Sequence, residues 1–207
     1  LDPNIPENED DYEKKSIWPE LRRAEANRFA VQLRDAISDT MMFDSVRVSP
    51  DTSASAHIYI QGQIFQSNGE DIILKLRVTD ISGKLLKRKT IKHRVKEYSI
   101  IDPRQENEDL YEPVFKKAAL EIEKLKIFFK SKRIAELKKI EEIRFGENFS
   151  PEVFSKHIKK SKKGRVQLKS FPDNNDPALV RVRSLRVRDQ MFIDNLQIDY
   201  DHFRNNM

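Results

Sequence analysis

Apolar residues over 19–39 recur at the spacing of three and four that places side chains on one face of a helix. The positions that form this stripe are Ala26, Phe29, Ala30, Leu33 and Ile37. Pro19 suits the first turn of a helix, where its missing N–H is not needed, and Glu20 favours the positive end of the helix dipole. The pattern therefore predicts a helix over 19–39 that buries one face.

The next part of the chain alternates apolar and polar residues, as half-buried strands do. Four runs show this pattern, at 43–49, 57–66, 72–78 and 84–95. Asn68-Gly69 and Ser82-Gly83 separate the last three runs, and such pairs supply the positive φ angles of a tight hairpin turn. We therefore expect an antiparallel β-meander with one apolar face, preceded by a further strand at 43–49.

The second half of the chain has a helical composition. An intermittent apolar stripe predicts a helix over 110–143 that Gly146 ends, and Ser150-Pro151-Glu152 predicts the start of a short one. Asp176-Pro177 repeats the start signal before a final amphipathic helix. The apolar positions of that helix are Leu179, Val182, Leu185, Phe192, Leu196, Tyr200 and Phe203.

These patterns divide the chain into three regions. Residues 1–17 are acidic and lack periodicity, which predicts an extended leader. We expect an α/β domain over 18–130 and a helical extension with a basic loop over 131–207. The predicted fold class is α+β: a small, mostly antiparallel sheet covered by helices, followed by the helical extension.

Residue types that usually carry chemistry are scarce or isolated in this sequence. There is no cysteine, which excludes disulfides, thiolate metal sites and cysteine nucleophiles. The four histidines show no metal-ligand spacing, and the five glycines form no phosphate-binding loop. Hydrophobic residues make up 38% of the chain and charged residues 35%. No stretch has the roughly 18 consecutive apolar residues that a membrane span needs. We therefore expect no enzymatic activity, and no catalytic, cofactor-binding or metal site.

A dense run of basic residues over 156–169 is the sharpest local feature of the sequence. It contains no acidic residue, and its cations are Lys156, Lys159, Lys160, Lys162, Lys163, Arg165 and Lys169. Such a run predicts a surface that binds a polyanion or an acidic protein partner, although a solvated loop has the same composition. No aromatic residue is interleaved with the cations, and this disfavours nucleic acid, whose bases stack on aromatic rings.

The order and spacing of the strand residues resemble the small α/β domain of bacterial envelope lipoproteins. That domain has an F/W-x-x-V-x-V segment, an A-D-x-x-I-x-G-x-I strand and an L-x-L-x-V-x-D-x-x-G hairpin. The matching residues here are Phe43, Val46, Val48, Ala56, Ile58, Ile60, Gly62, Ile64, Leu74, Leu76, Val78, Asp80 and Gly83. His57 stands where the family pattern has aspartate. Similar architecture occurs in the N-terminal domain of TolB, the curli secretion lipoprotein and the lipoprotein activators of penicillin-binding proteins.

The resemblance implies a location and a role. The tail over 176–203 is similar to the end of a family of proteobacterial lipoproteins that carry this domain. Such a protein would work on the periplasmic side of the bacterial outer membrane, held by a lipid anchor outside these residues, as a structural component of a large envelope assembly. Its partners would be other envelope or secretion-system proteins, for example those of a Dot/Icm-type (type IVB) core complex. The basic run leaves open an alternative, a cytosolic protein that binds nucleic acid or another polyanion.

Overall fold

The computed structural model describes residues 1–49, 56–95, 109–129, 131–162 and 164–205. The described residues form an α+β architecture with a three-stranded antiparallel sheet, a two-stranded antiparallel hairpin and six α-helices. This confirms the predicted fold class. The chain divides into two compact units. The first consists of residues 1–48, 60–79 and 85–129, and the second of residues 49–59, 80–84 and 130–207.

The meander predicted from the sequence is present, and most of it belongs to the first unit. Its strands β1 (Ile58–Ser67), β2 (Asp71–Asp80) and β3 (Leu85–Arg94) lie side by side in chain order. The helices of the unit are α1 (Asp10–Lys14), α2 (Pro19–Ser38) and α3 (Glu112–Glu123), with a 3-10 turn at Lys124–Phe128. Gly69 and Gly83 have φ angles of 90° and 76°, so the two predicted hairpin turns are confirmed.

The core of the first unit forms where alternation and helical periodicity predicted it. Ile64 of β1 and Ile72 and Leu74 of β2 are fully buried. Helix α2 packs on α3 through Phe29 and Phe115, whose ring centroids are 5.3 Å apart, and α3 also contacts β3. Burying a large apolar side chain contributes about 1.5–3 kcal/mol, so these contacts supply much of the stability of the unit.

The N-terminal residues belong to the first unit instead of forming a separate leader. Asp2 bridges to β1: its N–H donates to the Gly62 carbonyl at 2.8 Å, and its carbonyl accepts the Ile64 N–H at 3.0 Å. Ile17, just before α2, is 6% exposed, and the Leu1 side chain lies against Gly62. The acidic composition indicated a solvated segment, but these apolar contacts hold it on the unit.

Two predicted elements are wrong. Residues 43–49 form no strand. A strand there would need ladder partners, and the main chain of β1 at Gly62 and Ile64 is already bonded to Asp2. The predicted helix over 110–143 is in fact two elements, α3 and α4 (Ser131–Phe149), and Gly146 lies inside α4 instead of ending it.

Helix α4 is the central element of the second unit. It is followed by α5 (Pro151–Phe154), a 3-10 turn at Ser155–His157, strands β4 (Ile158–Lys160) and β5 (Val166–Leu168), and α6 (Pro177–Asn205). Gly146 lets the Phe154 ring approach α4, since a Cβ at that position would lie 2.8 Å from the ring. Asp176 Oδ1 accepts the N–H groups of Ala178 at 2.9 Å and Leu179 at 3.2 Å, which confirms the predicted start of the last helix.

A buried carboxylate organises the turn between β2 and β3. Asp80 is 2% exposed, and its Oδ1 accepts the N–H groups of Ser82 at 2.9 Å and Lys84 at 3.1 Å. Its Oδ2 lies 2.5 Å from Nη2 of Arg133 on α4. The charged acceptor therefore closes the turn and ties it to α4. Together with the positive φ of Gly83, these contacts account for aspartate at position 80 and glycine at position 83 of this chain.

Candidate binding surface

The predicted basic loop folds as a short hairpin of β4 and β5. The paired residues are Ile158 with Leu168, Lys159 with Gln167, and Lys160 with Val166. Cross-strand partners share a face, and successive residues alternate between faces, so Lys159 lies on the opposite face from Ile158 and Val166. Ile158 and Val166 are 5% and 6% exposed, and β5 contacts α4. One face of the hairpin is thus buried on the second unit, and the other faces solvent.

Main-chain contacts hold the hairpin against the Asp80 turn. The Val166 N–H donates to the Ser82 carbonyl at 2.8 Å. A Cβ at Gly83 would lie 2.9 Å from the carbonyl oxygen of Gly164, so glycine is needed there for close approach as well as for its φ. Gly164, with φ of 74°, donates its N–H to the Ser161 carbonyl at 2.9 Å. These contacts are made by the backbone and do not involve the basic side chains.

Lys160 is the cation of this run that has a carboxylate partner among the described residues. Its Nζ lies 2.7 Å from Oε2 of Glu147 on α4. Burial acts to raise the pKa of Glu147, but hydrogen bonds from Lys160 and Ser155, together with the positive charges of Lys160 and Arg144, outweigh burial and leave the pKa lowered. Lys160 shares a face with Ile158 and Val166. It therefore stabilises the hairpin on its own unit instead of serving an external partner.

Three other cations converge on open surface. Lys159, Lys162 and Arg165, together with Ser161 and Gln167, line an open depression on the hairpin. All three cations are exposed, and no carboxylate in the described part of the chain forms an ion pair with them. Cations gathered in this way repel one another and attract an anionic group.

The remaining residues of the basic run contribute less to this depression. Lys156 and Lys169 are exposed at the two ends of the hairpin, where the Lys169 N–H donates to the His157 carbonyl at 2.8 Å. Lys163 lies outside the described residues. Burial and the charge of Lys156 lower the pKa of His157, while Asp176 acts in the opposite direction. His157 is therefore neutral near pH 7 and adds no charge to the surface.

The last helix provides a second exposed surface. The sequence pattern predicted an amphipathic helix here without indicating what covers its apolar face, and the apolar positions in the second half of α6 are exposed. The exposed fractions are 62% for Phe192, 51% for Leu196, 43% for Tyr200 and 64% for Phe203. Leu179 and Val182, at the start of α6, are buried. Helical periodicity reveals that an apolar stripe exists, but it does not show whether the same chain covers that stripe.

Other kinds of site find no support in the described residues. No group of three or more His, Cys, Asp or Glu among them could hold a metal ion, and no helix among them is long and apolar enough to cross a membrane. No protein-family model, no curated protein and no solved structure matches this chain. The basic hairpin and the exposed face of α6 are the two surfaces on which we base proposals.

Proposed function

We propose that this protein is a non-catalytic accessory component of a bacterial cell-envelope assembly, and that its basic hairpin binds an acidic face of another protein of that assembly. The observation that carries this proposal is the convergence of Lys159, Lys162 and Arg165 on an open depression without a carboxylate partner among the described residues. An acidic partner would relieve the repulsion between these cations.

The form of the hairpin favours a protein partner over a small molecule. Small-molecule sites enclose most of their ligand, whereas this depression is open to solvent. An exposed ion pair contributes about 0–1 kcal/mol, so three such pairs alone give weak binding. Stable binding then needs further contacts around the cations, and an extended protein face supplies them where a free anion does not.

The envelope location is supported by the lipoprotein-like pattern of the strands. Asp80 and Gly83 occupy two positions of that pattern and have structural roles in the β2–β3 turn. The pattern contains no catalytic residue, which suits an accessory component. In its finer form the proposal places the protein on the periplasmic side of the outer membrane, held by a lipid anchor outside these residues, within a secretion-system core complex.

A cytosolic polyanion-binding protein is the second candidate. The hairpin presents Lys156, Lys159, Lys162, Arg165 and Lys169 with no acidic residue between them. Contacts from these cations to phosphates would make the affinity fall steeply as the salt concentration rises. The absence of aromatic residues from the run removes the stacking that single-stranded nucleic acids use, so the envelope partner is the proposal we favour.

A charge-neutralised variant tests the proposal in the native cell. The precursor is expressed there, the membranes are fractionated, and crosslinked partners are identified by mass spectrometry. The variant K159Q/K162Q/R165Q removes the cations of the depression. The control K117Q/K126Q/K138Q removes three exposed cations elsewhere, so the change in net charge is the same. We expect recovery in the outer membrane, and crosslinks to an envelope protein that the hairpin variant loses and the control keeps.

Two results would contradict the proposal: recovery of the protein in the cytosol, and equal crosslinking of the hairpin variant and its control. The second candidate is tested by binding of the purified chain to a short DNA duplex over a range of salt concentrations. Binding that weakens steeply with salt, and that the hairpin variant abolishes, would favour the polyanion-binding protein.

A further inference from the structure

The exposed face of α6 carries an apolar stripe that continues along the helix. Its members are Leu185, which is half-buried, and the exposed residues Phe192, Leu196 and Phe203. At 3.6 residues per turn, these four side chains lie within a sector of about 40° around the helix axis. An uncovered stripe of this width is typical of a helix that packs against another helix.

The stripe is symmetric about Asp194. Phe192 and Leu196 lie two residues before and after this position, and Leu185 and Phe203 lie nine residues before and after it. A two-fold axis perpendicular to the helix, at the level of Asp194 and on the face that carries the stripe, therefore brings each apolar residue opposite another apolar residue of a second copy. The successive spacings of seven, four and seven match the d, d, a and a positions of coiled-coil heptads, in which Asp189 and Asp199 occupy the intervening a and d positions.

The residues on either side of the stripe are related by the same symmetry, and the related residues have opposite charges or complementary hydrogen-bonding groups. Arg188 and Asp199 lie on one flank, six residues before and five residues after Asp194. Asp189 and Tyr200 lie on the other flank, five before and six after. A two-fold rotation keeps each flank on its own side and reverses the chain direction. Arg188 of one copy then faces Asp199 of the second copy, and the Asp189 carboxylate faces the Tyr200 hydroxyl.

We propose that α6 pairs with α6 of a second copy of this chain, in antiparallel orientation, about a two-fold axis at the level of Asp194. Leu185 packs against Phe203 of the second copy, and Phe192 packs against Leu196 of the second copy. The Arg188–Asp199 ion pairs and the Asp189–Tyr200 hydrogen bonds border the apolar layers on either side.

The charges identify both the orientation and the occupant. Arg181 and Arg188 lie in the first part of the exposed helix, whereas Asp189 and Asp199 lie further along it. Parallel pairing would place the basic residues of the two copies beside each other, and likewise their acidic residues. Antiparallel pairing brings residues of opposite charge together. If the partner were an unrelated helix, the apolar and charged positions of α6 would not need to be symmetric about one residue. The sequence of α6 is complementary to itself, which identifies a second copy as the partner.

This surface is separate from the basic hairpin, so the inference does not rest on the proposed function. Val187 and Met191 are exposed on the opposite side of α6, 55% and 62% respectively, where they form a second apolar stripe of the same spacing with Val180 and Ile198. Substitutions there therefore test which of the two stripes forms the interface. The variant F192D/L196D places two carboxylates in the stripe. The variant V187D/M191D adds the same charge outside it.

Sedimentation equilibrium of the purified chain measures the dimer dissociation constant of each variant, and circular dichroism establishes that the helices are retained. We expect the parent and V187D/M191D to dimerise with similar constants. F192D/L196D should dimerise about 100-fold more weakly, because carboxylates would replace the central apolar layers. A charge swap then tests the orientation: R188D and D199R should each weaken dimerisation about 10-fold, and R188D/D199R should restore it.

Three results would overturn the proposal. The parent chain could remain monomeric up to about 100 µM, a concentration at which even micromolar association is complete. The variants F192D/L196D and V187D/M191D could weaken dimerisation equally, which would place the interface elsewhere. The double variant R188D/D199R could dimerise no better than the single variants, which would exclude the antiparallel pairing of Arg188 with Asp199.

Discussion

Replacing Asp80 by alanine removes the carboxylate that closes the β2–β3 turn. In the folded protein this carboxylate is 2% exposed, accepts the N–H groups of Ser82 and Lys84, and lies 2.5 Å from the Arg133 guanidinium. The substitution leaves these donors without their acceptor and leaves Arg133 without its main counter-charge. Since the turn also holds β5 through the Ser82 carbonyl, the second unit should be destabilised.

The magnitude follows from the burial of the two partners. Removing one member of a buried ion pair costs about 3–5 kcal/mol. The Arg133 side chain is 28% exposed and also pairs with Glu136 at 2.8 Å, so water and Glu136 recover part of this cost. We therefore expect a loss of about 3 kcal/mol, or roughly 100-fold in the unfolding equilibrium. Asp80→Asn retains an acceptor for Ser82 and Lys84 and should cost about half as much.

Urea denaturation followed by far-ultraviolet circular dichroism measures this loss. Circular dichroism is preferable to fluorescence because the single tryptophan, Trp18, lies in the first unit and Asp80 in the second. Asp71→Ala is the matched control, since Asp71 is also a strand-end aspartate and pairs with Arg94 at 2.7 Å on the protein surface. If Asp80→Ala shifts the midpoint no more than Asp71→Ala does, the role given to the buried carboxylate is refuted.

Two further predictions concern packing and pH. Gly146→Val places side-chain atoms against the Phe154 ring and should destabilise the protein by about 1–3 kcal/mol, which a thermal melt would show; Ala135→Val, at an exposed position of the same helix, is the control. Hydrogen bonds from Lys124 and Lys87 lower the pKa of Glu121 from 4.5 to about 2. A lowered folded-state pKa means that this interaction stabilises the protein above pH 4.5 and is lost as the pH falls towards 2. Urea midpoints of the parent and Glu121→Gln should therefore differ at neutral pH and converge near pH 2, and a difference independent of pH would contradict this account.

The sheet and its turns could be predicted because their signals are local. Alternation along 72–78 identifies the buried face of β2, and Asn68-Gly69 identifies a turn that needs positive φ. The alternation at 43–49 carries the same kind of signal, yet no strand forms there. Strand pairing depends on a free neighbouring edge, and Asp2, more than forty residues earlier in the chain, occupies that position on β1.

The composition of the candidate site was predictable, and its geometry was not. The density of lysine identified the basic run, but β4 and β5 have only three residues each, too few for periodicity to reveal them. The different roles of Lys159 and Lys160 depend on the hairpin register and on the position of Glu147. In α6 the periodicity revealed the apolar stripe, but the exposure of Phe192 and Phe203 depends on tertiary packing.

The bridge between Asp2 and β1 bears on how this protein avoids aggregation. An edge strand offers unpaired main-chain groups to which a foreign strand can add. At β1 the Gly62 carbonyl and the Ile64 N–H are already occupied by Asp2, and the Leu1 side chain fills the space beside Gly62. A strand from another molecule could add at this point only after the N-terminal residues had detached. The acidic segment therefore acts as an intramolecular competitor for these two main-chain groups of β1.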